Sequence, residues 1–403
     1  MAIARLHQLA AHEVGHTLGL MHNFAASVNN RASVMDYPAP YFALGADGSI
    51  DLSNAYTTEI GGWDKRAILF GYQDFPAGTN EDEALKGIIS ETLKQGYFYI
   101  TDEDARPEGG AHPLGHLWDN GANAADELNR LMTIRKHLLD DFSEKAIRQD
   151  APMATIEEVL VPIYLLHRYQ VEAASKMLGG VYYTYAIKND GQVVTRLIPA
   201  ADQWKAFDAL MATISPYALA LPEKLIEKIP PRPDGYPRTR ELFKSQTGLT
   251  FDPTAAAESA AGATLAFMLN PERAARLIEY KARDNTQPGL IAMIDKLVAQ
   301  TWRAPQQIGY KGELQRVVNN LVLKQLLTLA ANNDAAESVR GIALMEVEEL
   351  GDWMRTSLGK MPYGDERANL MFGLSQIEEF KRNPDHFKPA AVLNMPDGSP
   401  IGE

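Results

Sequence analysis

Three histidines near the start of the chain constrain its local fold more tightly than any other feature of the sequence. His12 and His16 are four residues apart, so on a helix they lie on one face, a single turn apart. Gly19 has no Cβ and therefore allows the chain to leave the helix through a left-handed conformation. The reversal brings His22 back towards the first two histidines. The spacing predicts a helix within residues 2–20 that ends at Gly19.

This spacing also predicts a catalytic metal site. Three neutral imidazoles leave one coordination position open for water, which is typical of a catalytic zinc ion rather than a closed structural one. Glu13 lies on the adjoining helix face, where its carboxylate can take a proton from metal-bound water without being a ligand. The alternative is that His12, His16 and His22 are ordinary core or surface residues of an amphipathic helix.

The segment Ala11–His22 resembles the metzincin clan of zinc peptidases, whose pattern is H-E-x-x-H-x-x-G-x-x-H followed by a turn that contains methionine. Ser33-Val34-Met35-Asp36-Tyr37 matches that turn. The resemblance implies that the three histidines bind Zn²⁺, that Glu13 is the general base, and that Met35 forms the apolar floor beneath the metal. It further implies that Tyr37 reaches the zinc or the tetrahedral intermediate; alternatively, Tyr37 is a packed aromatic residue that closes the turn.

Within that clan, the chain resembles the long bacterial zinc-dependent metalloprotease family with a Met-zincin domain. The resemblance is carried by residues 17–27, by Trp63-Asp64-Lys65-Arg66-Ala67-Ile68 and by the closing run 394–402. It implies a metalloendopeptidase that hydrolyses peptide bonds through a zinc-activated water, with a peptide or protein as substrate. It also implies a periplasmic or secreted protein, although residues 1–9 do not have the features of a signal peptide.

Members of that family continue upstream of the zinc motif with an export signal and a β-sheet subdomain. We therefore expect this chain to be a C-terminal portion that lacks the strands against which an extended substrate would pair. The upstream subdomain of the same protein is then a partner, and the activity of this chain alone stays open. An alternative function is a non-catalytic helical interaction or scaffold module with an incomplete or vestigial zinc site. A third is a zinc hydrolase that acts on non-peptide amides.

The rest of the sequence predicts a mainly α fold, in which the active-site helix and methionine turn precede a large helical region. Two β-rich runs around Asn189-Asp190-Gly191 predict a hairpin over 181–198, and Asp47-Gly48 indicates a smaller one within 44–52. Apolar residues at helical spacing predict helices at 63–71, 81–95, 124–148, 156–178 with a kink at Pro162, 200–213, 222–228, 253–269, 271–283, 289–302, 312–331, 335–358 and 365–381.

Proline and glycine clusters suggest how the 403 residues are divided. The Pro-rich stretch 229–235 and the weaker Gly71–Gly78 region delimit three regions. These are a zinc-binding subdomain at 1–75, a helical region with the hairpin at 76–230, and a C-terminal helical region with an extended tail at 231–403.

Composition excludes several function classes. A formal net charge of −13 argues against nucleic acid or an anionic membrane surface as a partner. The absence of cysteine excludes disulfides, thiolate zinc sites and cysteine nucleophiles. No apolar run is long enough to span a bilayer. The sequence does not indicate an oligomeric state.

A second group of candidate ligands lies in a Gly/Pro-rich loop. His112 and His116 have the spacing of metal ligands, and the nearby acidic run Asp102-Glu103-Asp104 offers oxygens to a second cation. No helix is predicted there to align the two imidazoles, so the alternative is that they are solvated or cap the loop. The same loop is a candidate for lining the cleft.

Overall fold

The structure is a computed structural model that describes residues 1–384, 387–388, 391–396 and 398. In these residues the chain is mainly helical, which confirms the predicted fold class. The helices are α1 (Ala2–Thr17), α2 (Gly62–Tyr72), α3 (Glu81–Lys94), α4 (Asp102–Ala105), α5 (Ala124–Asp140), α6 (Ile156–Tyr164), α7 (Arg168–Ser175), α8 (Ala200–Thr213), α9 (Pro216–Leu219), α10 (Glu223–Ile226), α11 (Pro253–Met268), α12 (Pro271–Arg283), α13 (Leu290–Gln300), α14 (Gly309–Ala331), α15 (Glu337–Leu358) and α16 (Asp365–Arg382). Short 3₁₀ turns cover Ala26–Asn29, Glu144–Ala146 and Met153–Thr155.

Both predicted hairpins are present as two-stranded antiparallel sheets. Strands β1 (Ala43–Leu44) and β2 (Ile50–Asp51) pair across Asp47-Gly48, and β3 (Val181–Tyr183) pairs with β4 (Thr195–Leu197). Regular pairing in the second hairpin is shorter than the β-rich runs that predicted it. The turn between its strands has Asn189 and Gly191 at φ of +70° and +79°, as the Asn-Asp-Gly sequence favours.

Two helices differ most from the ranges predicted from the sequence. The single helix expected over 156–178 is divided into α6 and α7, with a break at residues 165–167. Pro162 removes a backbone donor from the last turn of α6, and the chain leaves the helix three residues later. The helix expected to reach residue 148 ends at Asp140, where Asp140 and Asp141 place negative charge at a helix C-terminus, the unfavourable end of the helix dipole.

One large apolar core joins α5 to α16. The long helix α14 packs against α11, α15 and α16, and the small side chains of α11 allow close approach. This core contains residues on both sides of position 230, such as Leu160 and Val347. The division of the chain at 75 and 230 stays a prediction.

The predicted extended tail lies partly outside the described residues. In the described part, Lys324 donates to the Ala391 carbonyl at 3.0 Å, and Arg168 donates to the Pro396 carbonyl at 3.0 Å. Residues 391–396 therefore lie against α14 and α7. None of the helices in the described ranges combines the length and the apolar character needed to cross a membrane.

A loop over residues 105–118, here called the anchored loop, connects this helical body to the N-terminal elements. Lys176 of α7 is fully buried and donates to the carbonyls of Ala105 and Gly115, the latter at 3.0 Å. Arg273 and Arg276 of α12 donate to the carbonyls of residues 108 and 110, at 3.2 and 3.3 Å. These cations fix the position of α4 and of the loop that follows it.

Candidate metal centre

Helix α1 ends in a Schellman motif at Gly19. The Gly19 N–H donates to the His16 carbonyl at 2.9 Å, and the Leu20 N–H donates to the Gly15 carbonyl at 3.1 Å. Gly19 has a φ of +79°, a conformation that residues with a Cβ rarely adopt. The chain therefore reverses directly after α1, and residues 18–22, here called the return segment, bring His22 back towards the helix.

His12, His16 and His22, the His triad, come together at one point. Each offers one ring nitrogen to a group whose ligand atoms all lie within 4.8 Å of one another. The Nε2 atoms of His12 and His16 are 3.1 Å apart. The ring centroids of His22 lie 5.3 Å from His12 and 4.8 Å from His16. The triad has the size and composition of a site for a single metal ion.

The other nitrogen of each imidazole is fixed by an oxygen. The Nδ1–H of His12 donates to the Val34 carbonyl at 2.7 Å, and that of His16 donates to the Leu20 carbonyl at 2.9 Å. The Nδ1–H of His22 donates to Asp102 Oδ2 at 2.8 Å. A carbonyl or an ionised carboxylate can only accept, so Nδ1 carries the proton in all three rings. Every Nε2 therefore presents a lone pair.

This arrangement fits a cation. Nε2 of His22 is buried and has no hydrogen-bond partner in the described chain. The facing lone pairs of His12 and His16 cannot bond to each other, but they can share a positive ion. Burial lowers the pKa of His12, and this outweighs the hydrogen bond to Val34, which acts to raise it; the shift favours the neutral ring that a metal ligand requires.

The turn that contains Met35 lies directly beneath α1. A Cβ built on Gly15 would lie 2.3 Å from the Sδ of Met35, so a larger residue at this helix position would require the Met35 side chain to move. Met35 is fully buried, and its carbonyl accepts from the Asn23 N–H at 2.9 Å. The methionine turn therefore supports both the helix and the segment that follows His22.

Asp64 of α2 organises the methionine turn from below. It is 1% exposed and accepts hydrogen bonds from the Ser33 hydroxyl at 2.5 Å and the Val34 N–H at 2.8 Å. A third donor is the N–H of Gly61, at 2.7 Å. One buried carboxylate thus holds the turn whose carbonyl at Val34 orients His12.

Tyr37 packs on the His triad. Its ring centroid is 5.3 Å from that of His12 and 4.8 Å from that of His22, and on its other side it stacks on Trp118 at 5.1 Å. The guanidinium of Arg106 lies 5.6 Å from the Tyr37 ring centroid. The Arg106 side chain is also paired with Asp102, which gives the site a half-exposed cation next to Tyr37.

Glu13 lies on the exposed surface of α1. Its charge acts to raise the pKa of His12, although less strongly than burial lowers it. The carboxylate is thus solvent-accessible and electrostatically coupled to the first histidine of the triad.

His112 and His116 do not form a second metal group within the described residues. Both are buried rather than solvated. His112 donates from Nε2 to the Tyr183 carbonyl at 2.9 Å and accepts at Nδ1 from the Leu114 N–H at 3.2 Å, so neither of its nitrogens has a lone pair for a metal. His116 donates from Nε2 to the Tyr169 carbonyl at 3.0 Å. The acidic run nearby is committed as well, because Asp104 accepts from the hydroxyls of two tyrosines.

Sequence reasoning missed the supporting roles of Gly15, Asp64, Asp102 and Arg106, and it considered Asp102 only as an oxygen donor to a second cation. The available signal for Asp64 was its place in the Trp63-Asp64-Lys65-Arg66 run, which carries part of the family resemblance. Asp102 follows His22 by 80 residues and offered no such signal.

These features define the class of the domain, which is of the zinc-metallopeptidase type. They are a helix with two convergent histidines, a reversal capped by glycine, a third histidine and a buried methionine turn. The model of a family described as Met-zincin matches residues 1–308. The chain belongs to the Met-zincin family. Searches of curated proteins and of solved structures found no match.

Proposed function

We propose that this chain carries the active-site helix and methionine turn of a zinc-dependent metalloendopeptidase, and that His12, His16 and His22 are the metal ligands. The observation that carries the proposal is the convergence of three Nε2 lone pairs, each opposite an Nδ1–H held by a backbone or carboxylate oxygen. In a vestigial site, we would not expect all three rings to be held in the tautomer that binds metal. A zinc ion held there would supply Lewis acidity, which polarises a carbonyl and makes water more acidic.

Glu13 is the proposed general base. Its exposed carboxylate lies one residue after His12, where it can take a proton from water and later deliver it to the leaving amine. Tyr37 is the proposed second catalytic residue, because its ring packs against two of the three imidazoles. A phenol there can donate a hydrogen bond to the oxyanion that develops on the scissile carbonyl.

The proposed substrate is a peptide or protein, bound with the help of an N-terminal subdomain of the same protein. On the outward face of α1, Ile3, Leu6 and Val14 are 70%, 62% and 56% exposed. An apolar face of this kind supports packing of α1 against such a subdomain. Export to the periplasm or the cell exterior belongs to the same proposal and is based on the sequence resemblance alone.

Metal analysis of the purified chain tests the site. We expect one zinc per chain by elemental mass spectrometry and loss of that zinc in His16→Ala. His7→Ala is the matched control, since His7 is an exposed histidine of the same helix outside the triad. A wild-type chain that retains no zinc, or a His16→Ala chain that retains it fully, contradicts the assignment.

Hydrolysis of a casein or peptide library by the natural full-length protein tests the chemistry. Glu13→Ala is expected to lower kcat by about 10²–10⁴-fold, the usual contribution of a general base, with the zinc content unchanged. Peptidase activity retained in Glu13→Ala would rule out the proposed role.

A further inference from the structure

A cavity of about 550 Å³ lies beside the return segment. Its walls come from α2, α3, strand β3 and residues 18–21 of the return segment. The described residues that form these walls include neither Glu13 nor any member of the His triad. The cavity is therefore separate from the groups that the proposed hydrolysis uses.

Aromatic rings dominate the cavity walls. Trp63 and Tyr99 stack with ring centroids 5.5 Å apart and an interplanar angle of 6°. Tyr185 meets the edge of this pair, with its centroid 5.7 Å from that of Tyr99. Further apolar lining residues include Phe70, Ile89, Leu93, Phe98 and Ile100. Flat apolar surfaces of this kind favour a ligand that can stack.

Several polar groups in the walls already have partners within the protein, and Arg66 is the charged residue among the described residues that line the cavity. Arg66 donates from Nε to the Thr92 hydroxyl at 2.9 Å and from NH2 to the Ile88 carbonyl at 2.6 Å. The hydroxyls of Tyr183 and Tyr185 donate to Asp104. No carboxylate is among the described residues that line the cavity, so a cationic ligand would lose its hydration without gaining an ion pair, which disfavours it relative to an uncharged one.

We propose that this cavity is a binding site for an aromatic group that carries no positive charge. Its volume lies within the range of small-molecule sites, about 300–1,000 Å³. Stacking adds to the free energy gained by burying apolar area. The aromatic group can belong to a free small molecule or to a side chain of a peptide, since both offer the same ring. The site does not depend on bound metal.

Titration with N-phenyl-1-naphthylamine, a neutral dye that fluoresces when buried, tests the proposal on the metal-free chain. Metal-free protein keeps the outcome independent of the proposed peptidase function. We expect one saturable site per chain. Gly71→Phe is expected to raise the dye Kd at least about tenfold, because Gly71 lines the cavity and a Cβ there meets open space.

Gly87→Phe is the matched control. Gly87 is also an exposed helical glycine with open space around its Cβ, but it lies outside the cavity walls, so its Kd should stay within about twofold. Ala67→Phe is a second filling variant, and thermal unfolding monitored by circular dichroism reports whether each variant is folded. Absence of saturable binding, or wild-type Kd in both folded filling variants, would overturn the proposal.

Displacement of the dye identifies the source of the ring. Displacement by a capped phenylalanine-containing peptide, but not by its alanine counterpart, assigns the site to a peptide side chain. Displacement by free indole and by neither peptide assigns it to a small molecule. Failure of every aromatic competitor to displace the dye would overturn the proposal.

Discussion

Each imidazole of the His triad donates a hydrogen bond from Nδ1 to an oxygen, and the three oxygens belong to different chain segments. For His22 that oxygen belongs to Asp102, which also pairs with Arg106. Burial acts to raise the pKa of Asp102, but the hydrogen bonds from Arg106 and His22 outweigh it and lower the pKa overall. Asp102 is therefore ionised near neutral pH, and its hydrogen bond fixes the orientation of the His22 ring as a ligand.

Replacing this carboxylate should weaken the site without removing a ligand. Asp102→Ala is expected to lower zinc affinity about 10–100-fold, the usual effect of removing such a partner, as measured by competition with a chelator. Glu103→Ala is the control, because Glu103 is an exposed acid in the same helical turn. Equal zinc affinities in the two variants would show that Asp102 does not position His22.

At the scale of residues, the sequence predicts which side chains approach one another when they are close together in the chain. The approach of His12 and His16 follows from helix geometry, and the return of His22 follows from Gly19. The pairing of His22 with Asp102 spans 80 residues and depends on how the anchored loop packs. No spacing rule relates such distant positions, and the acidic run around Asp102 has the composition of a solvated helix end.

At the scale of elements, α2 is attached to the methionine turn by very close backbone contact. The Trp63 N–H donates to the Ala32 carbonyl at 3.0 Å, and a Cβ built on Gly61 would lie 1.7 Å from that carbonyl oxygen. Gly61 is therefore the residue that lets α2 begin beside the turn and lets Asp64 reach its three donors.

Gly61→Ala should push α2 away from the methionine turn. We expect a loss of about 1–3 kcal/mol in the free energy of unfolding, the usual cost of overpacking, measured by denaturant titration. Gly87→Ala, in the open interior of α3, should instead gain up to about 1 kcal/mol from helix propensity. A Gly61→Ala protein as stable as wild type would mean that the contact relaxes without cost.

Element boundaries show where local rules stop being sufficient. The sequence predicted most helices from apolar spacing, but it did not separate α6 from α7, because the apolar pattern continues through the break. Buried Tyr164 and Leu165 lie at that break, and the Tyr164 hydroxyl donates to the Leu219 carbonyl at 2.8 Å. Tertiary packing of this kind decides where a helix ends once a proline has weakened it.

At the scale of the whole molecule, buried cations of the helical body hold the anchored loop. Lys176 is fully buried, and burial lowers its pKa to about 8. Its ammonium group bonds to the carbonyls of Ala105 and Gly115, on either side of the loop. Since α4 ends at Ala105, this contact also fixes the helix that carries Asp102.

Removing this cation should affect both stability and the metal centre. Lys176→Met leaves two carbonyls without their donor and is expected to cost about 1–3 kcal/mol of unfolding free energy, with weaker zinc binding. Lys205→Met is the control, because Lys205 forms an exposed pair with Asp126, worth about 1 kcal/mol or less. Equal denaturation midpoints for the two variants would contradict this role for Lys176.

The fixed Nδ1 hydrogen bonds of the His triad also bear on the choice among metals. Each ring can rotate towards a differently placed ion only by breaking its bond to Val34, Leu20 or Asp102. An ion whose preferred coordination geometry requires one of these rings to turn would therefore bind at the cost of a hydrogen bond. The triad would therefore select among metals by resisting rotation of its rings, and not only by the identity of its ligand atoms.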